Sequence, residues 1–339
     1  MCLRVARARV ARVATPWRRE CDWRPQCGQS CVGELRGASI VGMSAREIFG
    51  TVIPAMVTPF HEDGSLDLAS AQRLAVALVD GGCDGILVSG TTGESPTTHG
   101  PEKADLVRAV REAVGGRAKV MAGAGSNDTA HAVRMAQAAA EAGADSLLVV
   151  SPYYNRPSQD GVAAHIETIA SSTDLPVMVY DIPGRTGVAI GPACSARIAK
   201  HPNIVAFKDA TGDPIGGTRR GREVGMEVYS GDDGATLAFL THGGVGIVSV
   251  CGHAIPEIYR EMVDAVAVSD LARALAAHNR AERVVEAIMG TGQGAVMAKL
   301  AAYLLGHIET PTLRLPLVPA PDEWRENLVA ELRALGKLA

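Results

Sequence analysis

Aromatic residues make up only 4% of this 339-residue chain. A core built on stacked rings is therefore excluded, and the interior must be filled by aliphatic and small side chains. No apolar run approaches the roughly 20 residues that span a bilayer. Neither sign of charge dominates, since the net charge is −4. Such a chain has no strong field for steering nucleic acid, and no basic stripe lies beyond its N-terminal segment. The seven cysteines (Cys2, Cys21, Cys27, Cys31, Cys83, Cys194 and Cys251) lack the paired short spacings of a zinc site. Cys27 and Cys31 give one C-x3-C and no second pair, so the thiols are read as reduced and unpaired. A dinucleotide fingerprint is also missing. The nearest match, Gly123-Ala124-Gly125-Ser126-Asn127-Asp128, lacks the third glycine and reads as a turn between strand and helix.

What is present is a repeating unit. The composition is 47% hydrophobic with 37 glycines, which suits close packing of helices on a parallel sheet. From Ile53 onward a short apolar run ends in small or polar residues, and an Ala-rich amphipathic stretch follows. The runs are Ile53–Thr58, Gly85–Ser89, Lys119–Gly123, Ser146–Ser151, Val177–Tyr180, Ile204–Lys208, Glu227–Ser230 and Gly246–Val250. Helical periodicity covers Ala69–Asp80, Glu102–Val114 and Thr129–Ala142 among the stretches between them. Strands alternating with helices imply parallel pairing through right-handed crossovers. Eight of them predict an α/β fold, a (β/α)8 TIM barrel, over 47–269. After about Ser269 the strands stop. Asp270–Met289, Gly294–Leu305 and Pro321–Leu335 predict a C-terminal helical appendage over 270–339. Residues 1–46 differ from the rest. They carry Arg4, Arg7, Arg9, Arg12, Arg18, Arg19, Arg24 and Arg36 without a sustained apolar period. They lack the apolar centre of a secretory signal, and Glu20, Asp22 and Glu34 suit a transit peptide poorly. They are expected to form an unstructured extension.

In a parallel barrel the reactive side chains stand at the C-terminal ends of the strands. The sixth run ends Ile204-Val205-Ala206-Phe207-Lys208. Alternation puts Lys208 on the same face as Ala206 and Ile204. On the barrel interior its ammonium would be desolvated and its pKa would fall, making it a nucleophile able to form an imine. The alternative is a lysine that has emerged into solvent. Tyr180 ends the fifth run, one strand away, where a phenol could carry protons or merely fill the core. Ser89-Gly90-Thr91-Thr92-Gly93-Glu94-Ser95 follows the second run. Its glycines permit a tight turn whose N–H groups suit a carboxylate. It could equally be a phosphate loop or a plain turn, although it lacks the G-K-[ST] ending of a P-loop. Ser151-Pro152-Tyr153-Tyr154-Asn155-Arg156-Pro157 is a stiff aromatic loop, readable also as a packing or subunit contact. Arg185 could grip a carboxylate with its planar fork or sit on the surface. Asp232 and Asp233 lack a third ligand at metal-binding spacing and read as loop or cap residues.

Four segments fall in one order along the chain: Gly90-Thr91-Thr92-Gly93-Glu94-Ser95, Pro152-Tyr153-Tyr154-Asn155-Arg156-Pro157, Tyr180-Asp181-Ile182-Pro183-Gly184-Arg185-Thr186-Gly187 and Lys208-Asp209-Ala210-Thr211-Gly212. In them the chain resembles the dihydrodipicolinate synthase and N-acetylneuraminate lyase family, from about Thr51 to the C-terminus. The resemblance implies a lyase with Lys208 as Schiff-base residue, Tyr180 as general acid/base, and Thr91 and Tyr154 as its proton relay. Tyr154 would act in a neighbouring subunit. Thr92 and the backbone of Val248 would contact pyruvate, and Arg185 would hold the carboxylate of L-aspartate 4-semialdehyde. No metal or organic cofactor is implied beyond the covalent imine of pyruvate on Lys208. The implied protein is a cytoplasmic homotetramer, a dimer of dimers in the diaminopimelate route to lysine, with no nucleic acid or membrane partner. Asp181 stands where the family usually has Asn. Pro96, Gly100, Lys103 and His131 replace residues that bind lysine in feedback-sensitive members, while Asn127 and Tyr153 are kept.

Two rivals remain. A sister aldolase for 2-keto-3-deoxy sugar acids or sialic acid would keep Lys208 and Tyr180, but Thr91, Thr92 and Arg185 suit a small carboxylated aldehyde better. A catalytically silent barrel acting as a binding protein would have no need of Lys208, Tyr180 and Thr91.

Overall fold

The computed structural model describes residues 42–339. Residues 1–41 of the extension expected over 1–46 lie outside them. Eight parallel strands form one sheet: β1 Val52–Pro54, β2 Gly85–Val88, β3 Lys119–Gly123, β4 Ser146–Val150, β5 Val177–Asp181, β6 Ile204–Asp209, β7 Glu227–Ser230 and β8 Gly246–Ser249. Neighbours pair in the order β1-β8-β7-β6-β5-β4-β3-β2. The ring closes between β1 and β2 at the bridge of Ala55 to Leu87, where the Met56 N–H donates to the Leu87 carbonyl at 2.8 Å. The expected (β/α)8 barrel is therefore the observed fold, with helices Leu271–Met289, Gly294–Leu304 and Asp322–Ala334 following it.

Local chemistry explains the helix starts. A short polar side chain stands before many of the helices and accepts a backbone N–H that the helix itself cannot satisfy. Asp67 takes the Ser70 N–H at 2.9 Å, Asp128 takes Ala130 at 2.9 Å, Asp213 takes Gly216 at 2.8 Å and Asp270 takes Arg273 at 3.0 Å.

The sheet has two apolar faces. The outer one packs on the helices through residues such as Val52, Val88, Val120, Val149, Val179 and Phe207. The inner one is a separate cluster that includes Ile53, Leu87, Met121, Leu148, Met178, Tyr180, Ala206, Tyr229 and Val248. Alternation along each strand sorts side chains between the two. β6 departs from it. Lys208 shares its face with Ala206 as expected, but Ile204 belongs to the outer cluster. The β5–β6 pairing jumps from Val177–Ile204 to Met178–Ala206, leaving Val205 unpaired. This bulge resets the alternation. A strict two-residue period from Ile204 assigns that residue to the wrong face.

The bottom of the barrel is plugged by a short helix, Ala45–Phe49. Phe49 meets Tyr229 edge-on at 6.2 Å, and the Tyr229 hydroxyl donates to the Gly50 carbonyl at 2.8 Å. The expected boundary at 46/47 falls inside this helix. Glu47 accepts the Ser44 N–H at 2.8 Å, and Ala45 is buried in the inner cluster, so residues 44–46 pack with the barrel.

On the outer face one guanidinium ties the ends of β5 and β6 together. Arg220 donates to Asp181 at 2.5 Å and to Asp209 at 2.7 Å, and lies 4.5 Å from the centre of the Phe207 ring. Both carboxylates are fully buried. Arg220→Met would leave two uncompensated buried carboxylates. It is expected to cost about 3–5 kcal/mol and lower the melting temperature on the order of 10 °C. Asp181→Asn, which keeps the Arg220–Asp209 pair, should cost much less. Calorimetry on the two variants checks this ordering, and equal losses would contradict it.

Candidate active site

Lys208 ends on the inner face at the C-terminal mouth of the barrel and is only 4% exposed. It pairs in register with Tyr180 on β5, and its Nζ lies 4.1 Å from the centre of the Tyr180 ring. Burial takes its pKa down to about 7, with the Asp233 carboxylate opposing the fall and Arg185 adding to it. Burial also holds the Tyr180 phenol well above its ordinary value, so it stays protonated at neutral pH, although Arg185 pulls the other way. The solvated alternative for Lys208 is thereby removed. Space for its stem comes from Gly231, where a Cβ would stand 3.0 Å from the Lys208 Cε.

The loop after β2 forms part of the mouth. Gly93 lets the chain pass close to β1, since a Cβ there would lie 2.8 Å from the Met56 carbonyl. The Thr58 hydroxyl donates to the Gly93 carbonyl at 2.6 Å. Inside the loop the Glu94 N–H donates to Thr91 at 3.1 Å and the Ser95 N–H to Gly90 at 3.2 Å. Among the described residues, the N–H groups of Thr91, Thr92 and Gly93 have no acceptor. Thr92 is buried, whereas Thr91 is exposed at the loop tip. Val248 is fully buried on β8.

A cavity of about 540 Å³ opens beside these elements, lined by Thr91, Tyr153, Tyr180 and Arg185 among others. Arg185 is exposed and has no ion-pair partner among the described residues. Tyr154 is not brought to this cavity by its own chain. It is 89% exposed, in left-handed backbone at φ 72°. Asp232 and Asp233 act as loop ties. Asp232 accepts the Gly234 N–H at 3.0 Å, and Asp233 accepts those of Val250 at 2.9 Å and Cys251 at 3.1 Å. Among the described residues no cluster of three His, Cys, Asp or Glu could hold a metal ion.

Two features escaped the sequence. Ser89 follows β2 at φ 56°, and its buried hydroxyl has no partner among the described residues. It lines the cavity. Five non-glycine residues among those described adopt positive φ, and four of them (Ser89, Glu94, Tyr154 and Arg156) lie in the two loops that follow β2 and β4. Such backbone costs about 1–3 kcal/mol per residue and gathers at functional sites. The second feature is Asp233, whose carboxylate is the largest counter-charge acting on Lys208.

The chain is similar to proteins of one family along most of its length. A 4-hydroxy-tetrahydrodipicolinate synthase of Bifidobacterium animalis subsp. lactis is 49% identical over 288 residues, which is 85% of this chain and 94% of that one. The 4-hydroxy-tetrahydrodipicolinate synthase 2 of Streptomyces coelicolor is 50% identical over 288 residues, 85% of this chain and 96% of that one. A crystal structure of dihydrodipicolinate synthase from Cyanidioschyzon merolae with lysine bound aligns with a TM-score of 0.81 at 40% identity, covering 86% of this chain and 99% of that one. The pattern of the dihydrodipicolinate synthetase family matches residues 48–335, and the chain belongs to that family.

Proposed function

We propose that this chain is a lyase of lysine biosynthesis that condenses pyruvate with L-aspartate 4-semialdehyde through an imine on Lys208. The observation that carries the reading is the Lys208 amine, desolvated against Tyr180 at the barrel mouth. With a pKa of about 7, roughly half of it is neutral at pH 7, against less than about 0.1% for an ordinary lysine near 10.4. The neutral amine attacks the pyruvate ketone and gives a carbinolamine. Tyr180 protonates the departing hydroxyl, water leaves, and the iminium forms. Loss of a methyl proton gives the enamine, whose carbon attacks the aldehyde. The semialdehyde's own amine then closes on the imine carbon and expels Lys208. The iminium is the electron sink of the sequence. Thr91 passes protons to and from Tyr180, and Thr92 with the unpaired loop N–H groups receives the pyruvate carboxylate beside the Val248 backbone.

Tyr154 is assigned to the relay of a neighbouring subunit, in a cytoplasmic homotetramer built as a dimer of dimers. Its exposure and left-handed backbone support a role outside its own barrel. Arg185 is assigned to the semialdehyde carboxylate, because it lies exposed in the cavity wall beside Tyr180 with its guanidinium unengaged.

Borohydride with pyruvate should add covalent mass to the protein, and Lys208→Ala should take none. Because only the deprotonated amine attacks, the trapping rate should rise with pH through about 7 and then level off. A rate still climbing at high pH would mean an ordinary lysine, and mass retained by the variant would place the imine elsewhere. A coupled assay with the semialdehyde beside sugar-acid substrates separates the sister aldolases.

Arg185→Ala should raise the KM for the aldehyde and leave that for pyruvate nearly unchanged. A lost charge-assisted clamp costs about 2–3 kcal/mol, roughly a 30- to 150-fold effect. Equal effects on both substrates would point to a structural role.

Inhibition by L-lysine should be weak or absent. The relevant part of the cavity is lined by Pro96, His99, Gly100, Lys103, His131 and Tyr153. Lys103 donates to the Ser95 carbonyl at 2.7 Å and the Thr98 hydroxyl at 2.6 Å. A cation therefore stands where a ligand with two ammonium groups would need acceptors. Pro96 stiffens the loop and offers no N–H. Initial rates at subsaturating pyruvate test this, and half-inhibition by sub-millimolar lysine would overturn it.

A further inference from the structure

We propose that Glu94, Lys299 and Arg314 form a positioning unit through which the C-terminal helix Gly294–Leu304 and the segment after it hold the Ser89–Ser95 loop in the shape that receives pyruvate. The inference rests on the proposed reading that Thr91 and Thr92 contact that substrate. It adds two residues from outside the barrel to the parts the site depends on.

Glu94 is the last loop residue before the turn Ser95–Thr97, and it takes left-handed backbone at φ 55°. Its side chain is 2% exposed. One carboxylate oxygen accepts the Lys299 ammonium, and the other accepts the Arg314 N–H at 3.0 Å. Lys299 lies on the helix Gly294–Leu304 and is fully buried. It also donates to the Thr312 carbonyl at 2.9 Å and lies 4.3 Å from the centre of the Phe60 ring. The Arg314 guanidinium lies 4.2 Å from the same ring. It donates to the Gly64 carbonyl at 2.8 Å, to the Thr97 carbonyl at 2.7 Å and to Glu102. The loop is thus clamped at Glu94, from inside by Lys299 and from outside by Arg314.

The energetics argue for position rather than stability. Burying an ion pair costs several kcal/mol of desolvation per charge, and well-packed apolar side chains in its place often do as well. A pair kept in full burial must earn its place by geometry. Here the geometry is specific. Left-handed backbone at a residue with a side chain persists only where its surroundings enforce it. The Glu94 N–H closes the turn on Thr91, while its carbonyl accepts the Thr97 N–H at 3.0 Å and the Thr97 hydroxyl at 3.2 Å. Fixing Glu94 therefore fixes the chain on both sides of it, and Thr92 is two residues away. A loop released at this point would keep its sequence and lose the alignment of its N–H groups.

Lys299→Met alone strands a buried carboxylate and is expected to destabilise the whole protein. The decisive variant is the double Glu94→Gln, Lys299→Met, which removes both charges at similar volume. It should melt near the wild-type temperature. Amide hydrogens of the 89–98 peptide should exchange about tenfold faster or more. The pyruvate KM should rise about tenfold or more. The aldehyde KM and the pH midpoint of imine trapping, which belongs to Lys208, should not move. A double variant with wild-type loop exchange and wild-type pyruvate KM overturns the proposal. Should the double variant not fold, Glu94→Gln alone is read by the same criteria. If the wild-type protein traps no pyruvate, the reading of the site fails, and loop exchange alone then decides the tether: faster exchange supports it and unchanged exchange overturns it.

Discussion

A lysine amine held out of water at the end of β6 is the constraint around which the mouth of this barrel is arranged. An ammonium buried there without a close partner would cost far more than a fold of ordinary stability can spare. The chain reduces the cost by letting the group lose its proton. Asp233 works against that loss, yet its carboxylate is already engaged by the Ser249 hydroxyl and the N–H groups of Val250 and Cys251. Its negative charge is partly neutralised by these dipoles and supports the ammonium less than a free carboxylate would. Arg185 pushes in the opposite sense. The amine is left balanced near neutrality. The same desolvation keeps the adjacent phenol protonated, so a nucleophile and an acid coexist a few ångströms apart.

That balance depends on where β5 and β6 end, and the outer face of the sheet sets this. Tyr180 and Lys208 face in, while their successors Asp181 and Asp209 face out and share Arg220. One guanidinium on the helix Pro214–Val224 therefore fixes the relative height of the two strands one residue beyond the reactive pair. Asp181 is the residue expected from the sequence to stand where the family usually has Asn. Burial raises its pKa, with Arg220 acting against the rise. The departure thus changes the charge of the lock and not the inner face. The bulge at Val205 belongs to the same arrangement. It lets β6 enter the sheet in one register and leave in another, so that Ala206 and Lys208 line the barrel while Ile204 packs against helices.

Much of this was legible in the sequence because it is local. β3 and β7 match their apolar runs residue for residue, and the other six differ by one to a few residues at their ends. The strand-end positions of Lys208 and Tyr180 follow from those runs alone. Long-range pairing was not legible. Nothing in the spacing of Glu94 and Lys299, or of Asp181 and Arg220, announces that they meet. One signal was available. Lys299 sits in Gly294-Ala295-Val296-Met297-Ala298-Lys299-Leu300-Ala301-Ala302, a helix with no other charge in that stretch, and so had to be buried with a partner or end the helix. The helix Ala45–Phe49 was missed for another reason. Five residues are too few for a helical period to register, and its order comes from burial against β7 and β8 rather than from propensity.

The two loops with left-handed residues obey different logics, and the difference lies in how much of their support comes from the described residues. At Ser89 and Glu94 the backbone is over-determined from within. β2 fixes one end, and buried charges fix the other. At Tyr154 and Arg156 the support is thinner. Arg156 reaches the Gly187 carbonyl at 3.1 Å and Asn155 the Asn127 carbonyl at 3.0 Å, both on exposed ground. Tyr154 itself adopts backbone that bulky side chains avoid, with its ring almost wholly in solvent. Among the described residues nothing repays that conformation through burial of the ring. Such an arrangement supports the proposed contact of the ring with another molecule. An exposed large aromatic beside a cavity that already holds Tyr153 is the form an unfinished contact takes. The assignment of Tyr154 to a neighbouring subunit thus rests on this chain's own backbone as well as on its family.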